Sequence, residues 1–141
     1  MAQSSDTTGP VTAACHCGAV KITVSRKPKE INECQCTLCR RYRAAWAYYD
    51  PTDVDVLVMN DTQPREYLWG DREIRFRFCG ACGCVTHWRS VDEGGQEMGV
   101  NTRMMHPDLL RDANRKVDNE QLSVPLKSRD SAHPEDQARY L

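Results

Sequence analysis

Apolar and polar residues alternate with a period of two along the middle of this chain. Val20, Ile22 and Val24 alternate with Lys21, Thr23 and Ser25, and Ile74, Phe76 and Phe78 alternate with Arg75 and Arg77. Successive side chains of a strand point to opposite faces, so these runs predict half-buried strands. Weaker strand signals lie at Ala45–Tyr49, Val54–Val58, Glu66–Trp69, Val85–Arg89 and Met98–Arg103. The turn-forming pairs Asp50-Pro51, Asn60-Asp61, Gly70-Asp71 and Gly94-Gly95 separate them. Helix signals are few: a turn or two after Cys36 through Arg40–Arg43, and Pro107–Asp112, where His106-Pro107-Asp108 suits a helix start. Many short strands at close spacing predict a mainly β fold, and no internal repeat is present.

Length and charge narrow the picture. The 141 residues make one ordinary domain. Residues 1–12 and 127–141 are rich in Ser, Thr, Asp, Pro and charge and read as mobile arms. The domain is therefore expected at about residues 11–125, between a flexible arm over 1–10 and a polar tail over 126–141. With 19 basic and 20 acidic residues spread along the chain, the net charge is −1. That balance gives no footprint for nucleic acid or an anionic membrane surface. The polar start carries neither a secretory signal nor a membrane span, so the expected location is the cytoplasm.

A reducing compartment decides how the eight cysteines are read, because it disfavours structural disulfides and makes C-x-C and C-x-x-C spacings metal-binding or redox motifs. Seven fall into three clusters: Cys15-His16-Cys17, Cys34-Gln35-Cys36-Thr37-Leu38-Cys39 and Cys79-Gly80-Ala81-Cys82. A strand would place Cys15 and Cys17 on one face, with His16 pointing away. Cys79 and Cys82 form a knuckle in which Gly80 and Gly83 permit positive φ, and Cys15 and Cys17 are their natural complement. Cys34, Cys36 and Cys39 are then left as three ligands. Four thiolates close a zinc site, whereas three leave a position for water or substrate. Zinc is preferred to an iron–sulfur cluster because the regular C-x2-C-x2-C-x3-C-P run is missing.

Three ordered motifs, Cys15-His16-Cys17-Gly18-Ala19-Val20, Cys34-x-Cys36-x-x-Cys39-Arg40-Arg41 and Phe78-Cys79-x-x-Cys82-Gly83, followed by Gly99-Val100-Asn101, resemble the glutathione-dependent formaldehyde-activating enzyme family, which includes the centromere protein V domain. The resemblance covers about residues 11–125. It implies an Mss4-like all-β fold, carbon–sulfur lyase activity and two zinc ions per chain. Carried over by position, Cys15, Cys17, Cys79 and Cys82 would hold a structural zinc, and Cys34, Cys36 and Cys39 a catalytic one. It further implies a small thiol such as glutathione and an aldehyde as partners; separately, a homodimer is one permitted assembly. Position 84, usually a small hydroxylated residue, is a cysteine here.

Among the remaining candidates, Arg40 is the favoured catalytic partner of the three-cysteine cluster, through thiolate charge or a substrate carboxylate. Arg41 and Arg72 share that candidacy, while Arg75 and Arg77 read better as a solvated strand face. His87 reads as a hydrogen-bonded strand histidine, Cys84 as a small buried side chain or a further ligand, and Trp46, Tyr48 and Tyr49 as core or pocket wall. The alternative function is a non-catalytic, zinc-stabilised binding module.

Overall fold

The computed structural model describes residues 9–59, 61–69 and 72–122. Two sheets carry the fold. The smaller has the order β1-β2-β5, from Val11–Ala14, Val20–Val24 and Val54–Val58. The larger uses β3 (Glu30–Cys34), β4 (Trp46–Tyr49), β6 (Arg65–Tyr67), β7 (Ile74–Phe78), β8 (Val85–Ser90), β9 (Met98–Asn101) and β10 (Asn114–Asp118) in the order β10-β3-β4-β9-β8-β7-β6. The fold is mainly β, as the alternation predicts. All pairs are antiparallel except β10 with β3, which run parallel with Asp118 opposite Cys34.

Val20, Ile22 and Val24 fill the main core together with Ile31, Ala47, Tyr49, Met98 and Val100, so that core is shared by the two sheets. Burying each large aliphatic side chain contributes about 1.5–3 kcal/mol. Strand β4 shows how the site is placed. Ala47 and Tyr49 face the main core, and the alternate residue Trp46 enters a second cluster with Cys36, Cys39, Ala44 and Phe76. The two faces of one strand thus separate scaffold from site.

Several expectations shift at the boundaries. Strand β1 begins at Val11, a buried residue paired with Val24, so Val11 and Thr12 are sheet and not arm. Residues 1–8 of the expected arm and the whole expected tail over 126–141 lie outside the described residues, as do Asn60 and the Gly70-Asp71 turn. Strand β6 ends at Tyr67, leaving Trp69 beyond it. Strand β9 ends at Asn101, because its side-chain Oδ1 accepts the Arg103 N–H and starts a 3-10 turn over Thr102–Met104. The Pro107–Asp112 signal is a 3-10 turn over Pro107–Leu110, opened by His106 Nδ1 accepting the Asp108 N–H at 3.1 Å. Cys39–Tyr42 forms one α-helical turn, α1, where helix was expected.

Candidate functional site

Cys15 and Cys17 lie in the turn that joins β1 to β2, past the strand end at Ala14, so a turn and not strand alternation brings them together. Gly18 permits this with φ +80°, and its N–H bonds the Cys15 carbonyl at 3.0 Å. Cys79 and Cys82 lie in the turn between β7 and β8. Gly83 there has φ +82°, as the knuckle requires. Gly80 serves differently: a Cβ at that position would collide with the Gln63 carbonyl, so close backbone approach, and not positive φ, demands glycine.

The four sulfurs converge within 4.8 Å of one another. Cys17 Sγ is 3.7 Å from both Cys15 Sγ and Cys79 Sγ. A tetrahedron with Zn–S bonds of about 2.3 Å has edges of about 3.8 Å, so the donor set fits that ion. Backbone N–H groups of Val20, Ala81 and Cys82 point at the Cys15 and Cys79 sulfurs from 3.3, 3.3 and 3.4 Å. The Cys82 and Ala81 N–H groups hold the Cys79 thiol below its ordinary range. His16 is exposed.

The second cluster lies where β3 ends. Cys34 is its last residue, Cys36 sits in the bend that follows, and Cys39 opens α1. Their sulfurs also lie within 4.8 Å of one another. The Cys39 N–H donates to Cys36 Sγ at 3.2 Å, and Trp46 Nε1–H donates to Cys39 Sγ at 3.3 Å. Arg41 Nη1 ties the loop to the Thr37 carbonyl at 2.7 Å. Side-chain hydrogen bonds with Cys34 and Cys39 pull the Cys36 thiol far down, whereas those with Cys34 and Cys36 push Cys39 up. The trio is thus arranged to share negative charge, and a bound metal ion deprotonates such thiols outright. Cys84 belongs to neither group of converging sulfurs; its backbone carbonyl accepts the Cys79 N–H at 2.9 Å, beside the four-cysteine site.

Cys34, Cys36 and Cys39 open onto a cavity of about 550 Å³. Trp46, Tyr48, Trp69, Phe76 and Trp88 supply its aromatic walls, and Asn32, Glu73, Asp118, Glu120 and Gln121 its polar part. Phe76 packs tilted against Trp46, and Tyr48 against Trp88, each at 6.1 Å between centroids. Gly99 leaves room for the Trp88 indole opposite it, because a Cβ there would strike the ring and force it to shift. Burial pushes the Tyr48 hydroxyl up to about 12, so it keeps its proton, and its oxygen accepts Asn32 Nδ2–H at 2.6 Å. Asp118 accepts the Glu120 N–H at 3.0 Å and Asn32 Nδ2–H at 3.2 Å, contacts that hold it below the usual carboxylate range.

Not every candidate reaches this cavity. Tyr49 is core, with its hydroxyl on the Arg26 carbonyl at 3.1 Å. Arg40 lines a small separate cleft with Glu33, Gln35, Arg43 and Arg103, and is not among the residues lining the larger cavity. Arg75 and Arg77 pair with Glu66 of the neighbouring strand at 2.9 and 4.0 Å. Arg72 borders a third cavity. His87 is buried against Thr86, with Thr86 Oγ1 and His87 Nδ1 2.9 Å apart. Asn32, Trp69, Trp88, Asp118 and Glu120 escaped the sequence reading. Only the aromatic character of Trp69 and Trp88 was a usable signal, since Asn32 shares with Cys34 a strand that has no apolar period, and strand pairing alone brings Asp118 opposite Cys34.

The model of the family described as "Glutathione-dependent formaldehyde-activating enzyme" matches residues 10–119. A crystal structure of a Rhodobacter sphaeroides protein superposes with a TM-score of 0.61 at 29% identity, covering 75% of this chain and 100% of that one. No curated protein is significantly similar. The match spans both cysteine clusters and every strand of the two sheets, and the chain belongs to the glutathione-dependent formaldehyde-activating enzyme family.

Proposed function

We propose that the chain is a zinc-dependent carbon–sulfur lyase that joins a small thiol, such as glutathione, to a small aldehyde, or runs the reverse. The observation that carries this reading is the three-cysteine cluster opening onto a cavity, with Cys84 outside that cluster. Cys15, Cys17, Cys79 and Cys82 would hold a structural zinc, and Cys34, Cys36 and Cys39 a second one. A zinc ion at the second site supplies an open position at which an incoming thiol loses its proton near neutral pH. Strong donation by three thiolates suits that task better than activation of water.

In the addition, a carbon–sulfur bond forms as the carbonyl π bond breaks, and the thiol's proton ends on oxygen. Trp46 and the Cys39 N–H fix two of the three sulfurs. Tyr48 keeps its proton and receives Asn32, so its own O–H serves as donor to the aldehyde oxygen as charge builds there. Trp69, Phe76 and Trp88 limit water, which would compete for the aldehyde. Arg40, next to Cys39 but outside the cavity, offsets thiolate charge from behind.

Exchange NMR of formaldehyde and glutathione, with and without zinc-loaded protein, tests this. Wild type should accelerate adduct exchange. Cys36→Ser should lose one zinc and the acceleration together, and Tyr48→Phe should keep both zincs while slowing exchange by about 10²–10⁴-fold. Full acceleration by Cys36→Ser with one zinc left would refute the assignment.

A further inference from the structure

We infer that this cavity selects a thiol whose near end carries a positively charged amino group, and turns away one with a carboxylate there; this rests on the thiol-binding role proposed above. The site is the cavity of the three-cysteine cluster, and its surroundings set what enters it. Among the described residues no lysine or arginine lines it, while Glu73, Asp118 and Glu120 do. A zinc ion bound by three thiolates would itself carry net negative charge.

Two further features favour a cation. The walls are aromatic, and ammonium groups are attracted to the faces of tryptophan and tyrosine rings. Asn32, in the wall beside Cys34, has its Oδ1 buried without a hydrogen-bond partner. Its Nδ2 is committed to Tyr48 and to the ionised Asp118, an acceptor only, which fixes the amide with Oδ1 as the unused atom. An N–H donor from a ligand would satisfy it. Acceptor, carboxylates and ring faces all call for the same chemistry, and the Asp118 carboxylate is held in place by its bonds to Glu120 N–H and Asn32.

The test is calorimetric titration of the zinc-loaded full chain with three short thiols, 2-aminoethanethiol, 2-mercaptoethanol and mercaptoacetate. The expected order is cationic over neutral over anionic, with about tenfold between the first two. Because the aminothiol is intrinsically more acidic, the diagnostic is how the ratio responds. Glu120→Gln, an exposed position, and Asp118→Asn should compress it, and added salt should compress it in wild type without any substitution. Ratios unchanged by both charge removal and salt, or a preference for mercaptoacetate, would overturn the inference and leave thiol binding standing. Binding of none of the three, or equal binding by Cys36→Ser, would bring down the thiol-binding role itself.

Discussion

Asn101→Ala should destabilise the protein by about 2–5 kcal/mol, because one buried side chain ties together the segments that follow both cysteine clusters. Asn101 Oδ1 accepts the Ala45 N–H at 3.2 Å and the Arg103 N–H at 3.1 Å, and Nδ2 donates to the Val85 carbonyl at 2.8 Å. Ala45 leads into β4 just past Cys39 and α1, and Val85 opens β8 just past Cys84. Arg103 is exposed and can find water, but Ala45 is fully buried and the Val85 carbonyl is bonded from inside the sheet. One buried and one half-buried group would therefore be left unpaired, each costing about 1–3 kcal/mol with the half-buried carbonyl toward the lower end. Urea unfolding of the zinc-loaded proteins, followed by far-UV circular dichroism, measures the loss. Asn101→Asp supplies a check: it keeps the acceptor, loses the donor and adds a buried charge, so it should be no more stable than Asn101→Ala. A loss under about 0.5 kcal/mol for Asn101→Ala would show that the three hydrogen bonds are not what holds these segments.

Other consequences follow from single residues. Burial, with the Arg77 and Arg89 charges adding to it, pushes His87 down to about 4. The folded state then binds fewer protons than the unfolded state between that value and the ordinary histidine value near 6.5, so stability is complete above about pH 6.5 and falls toward pH 4 by roughly 3 kcal/mol. The gap in stability between wild type and His87→Gln should accordingly shrink as pH falls through this window; a constant gap would contradict the buried neutral imidazole. Gly99→Ala should displace the Trp88 indole, seen as a shift in tryptophan emission and weaker thiol binding with both zincs retained, and an unaltered spectrum would count against that contact. Cys17→Ser should cost folding at ordinary temperature, because its sulfur bridges the two turns of the four-cysteine site, and a folded variant with one zinc would deny that site its structural role.

Much of the scaffold was legible because one buried face imposes alternation, as in Val20–Val24 and Ile74–Phe78. Strands β3 and β10 were not. In Glu30–Cys34 only Ile31 is fully buried, and Asn114–Asp118 is exposed along most of its length, so the parallel pair has no apolar period to read. The grouping of the cysteines was legible from spacing and number, since ligands must converge whatever turn delivers them. Their local geometry was not: Cys15 and Cys17 sit in a turn, and Gly80 is required by the Gln63 carbonyl. The cavity was largely hidden, because Asn32, Trp88 and Asp118 come together through strand pairing across long separations, and Trp69 reaches them from beyond the end of β6. Arg40 lies on the far side of Cys39, in a small cleft that shares that cysteine with the cavity, a placement that adjacency in sequence does not decide.

The central claim is a division of labour between a closed four-thiolate site and an open three-thiolate one, and zinc content during a chelator titration tests it most directly. Two zincs per chain are expected, with the first removed by a mild chelator while the circular dichroism spectrum persists, and the second lost only as the fold is lost. A fully loaded chain whose two zincs resist chelation equally, or whose fold collapses with the first, would contradict it.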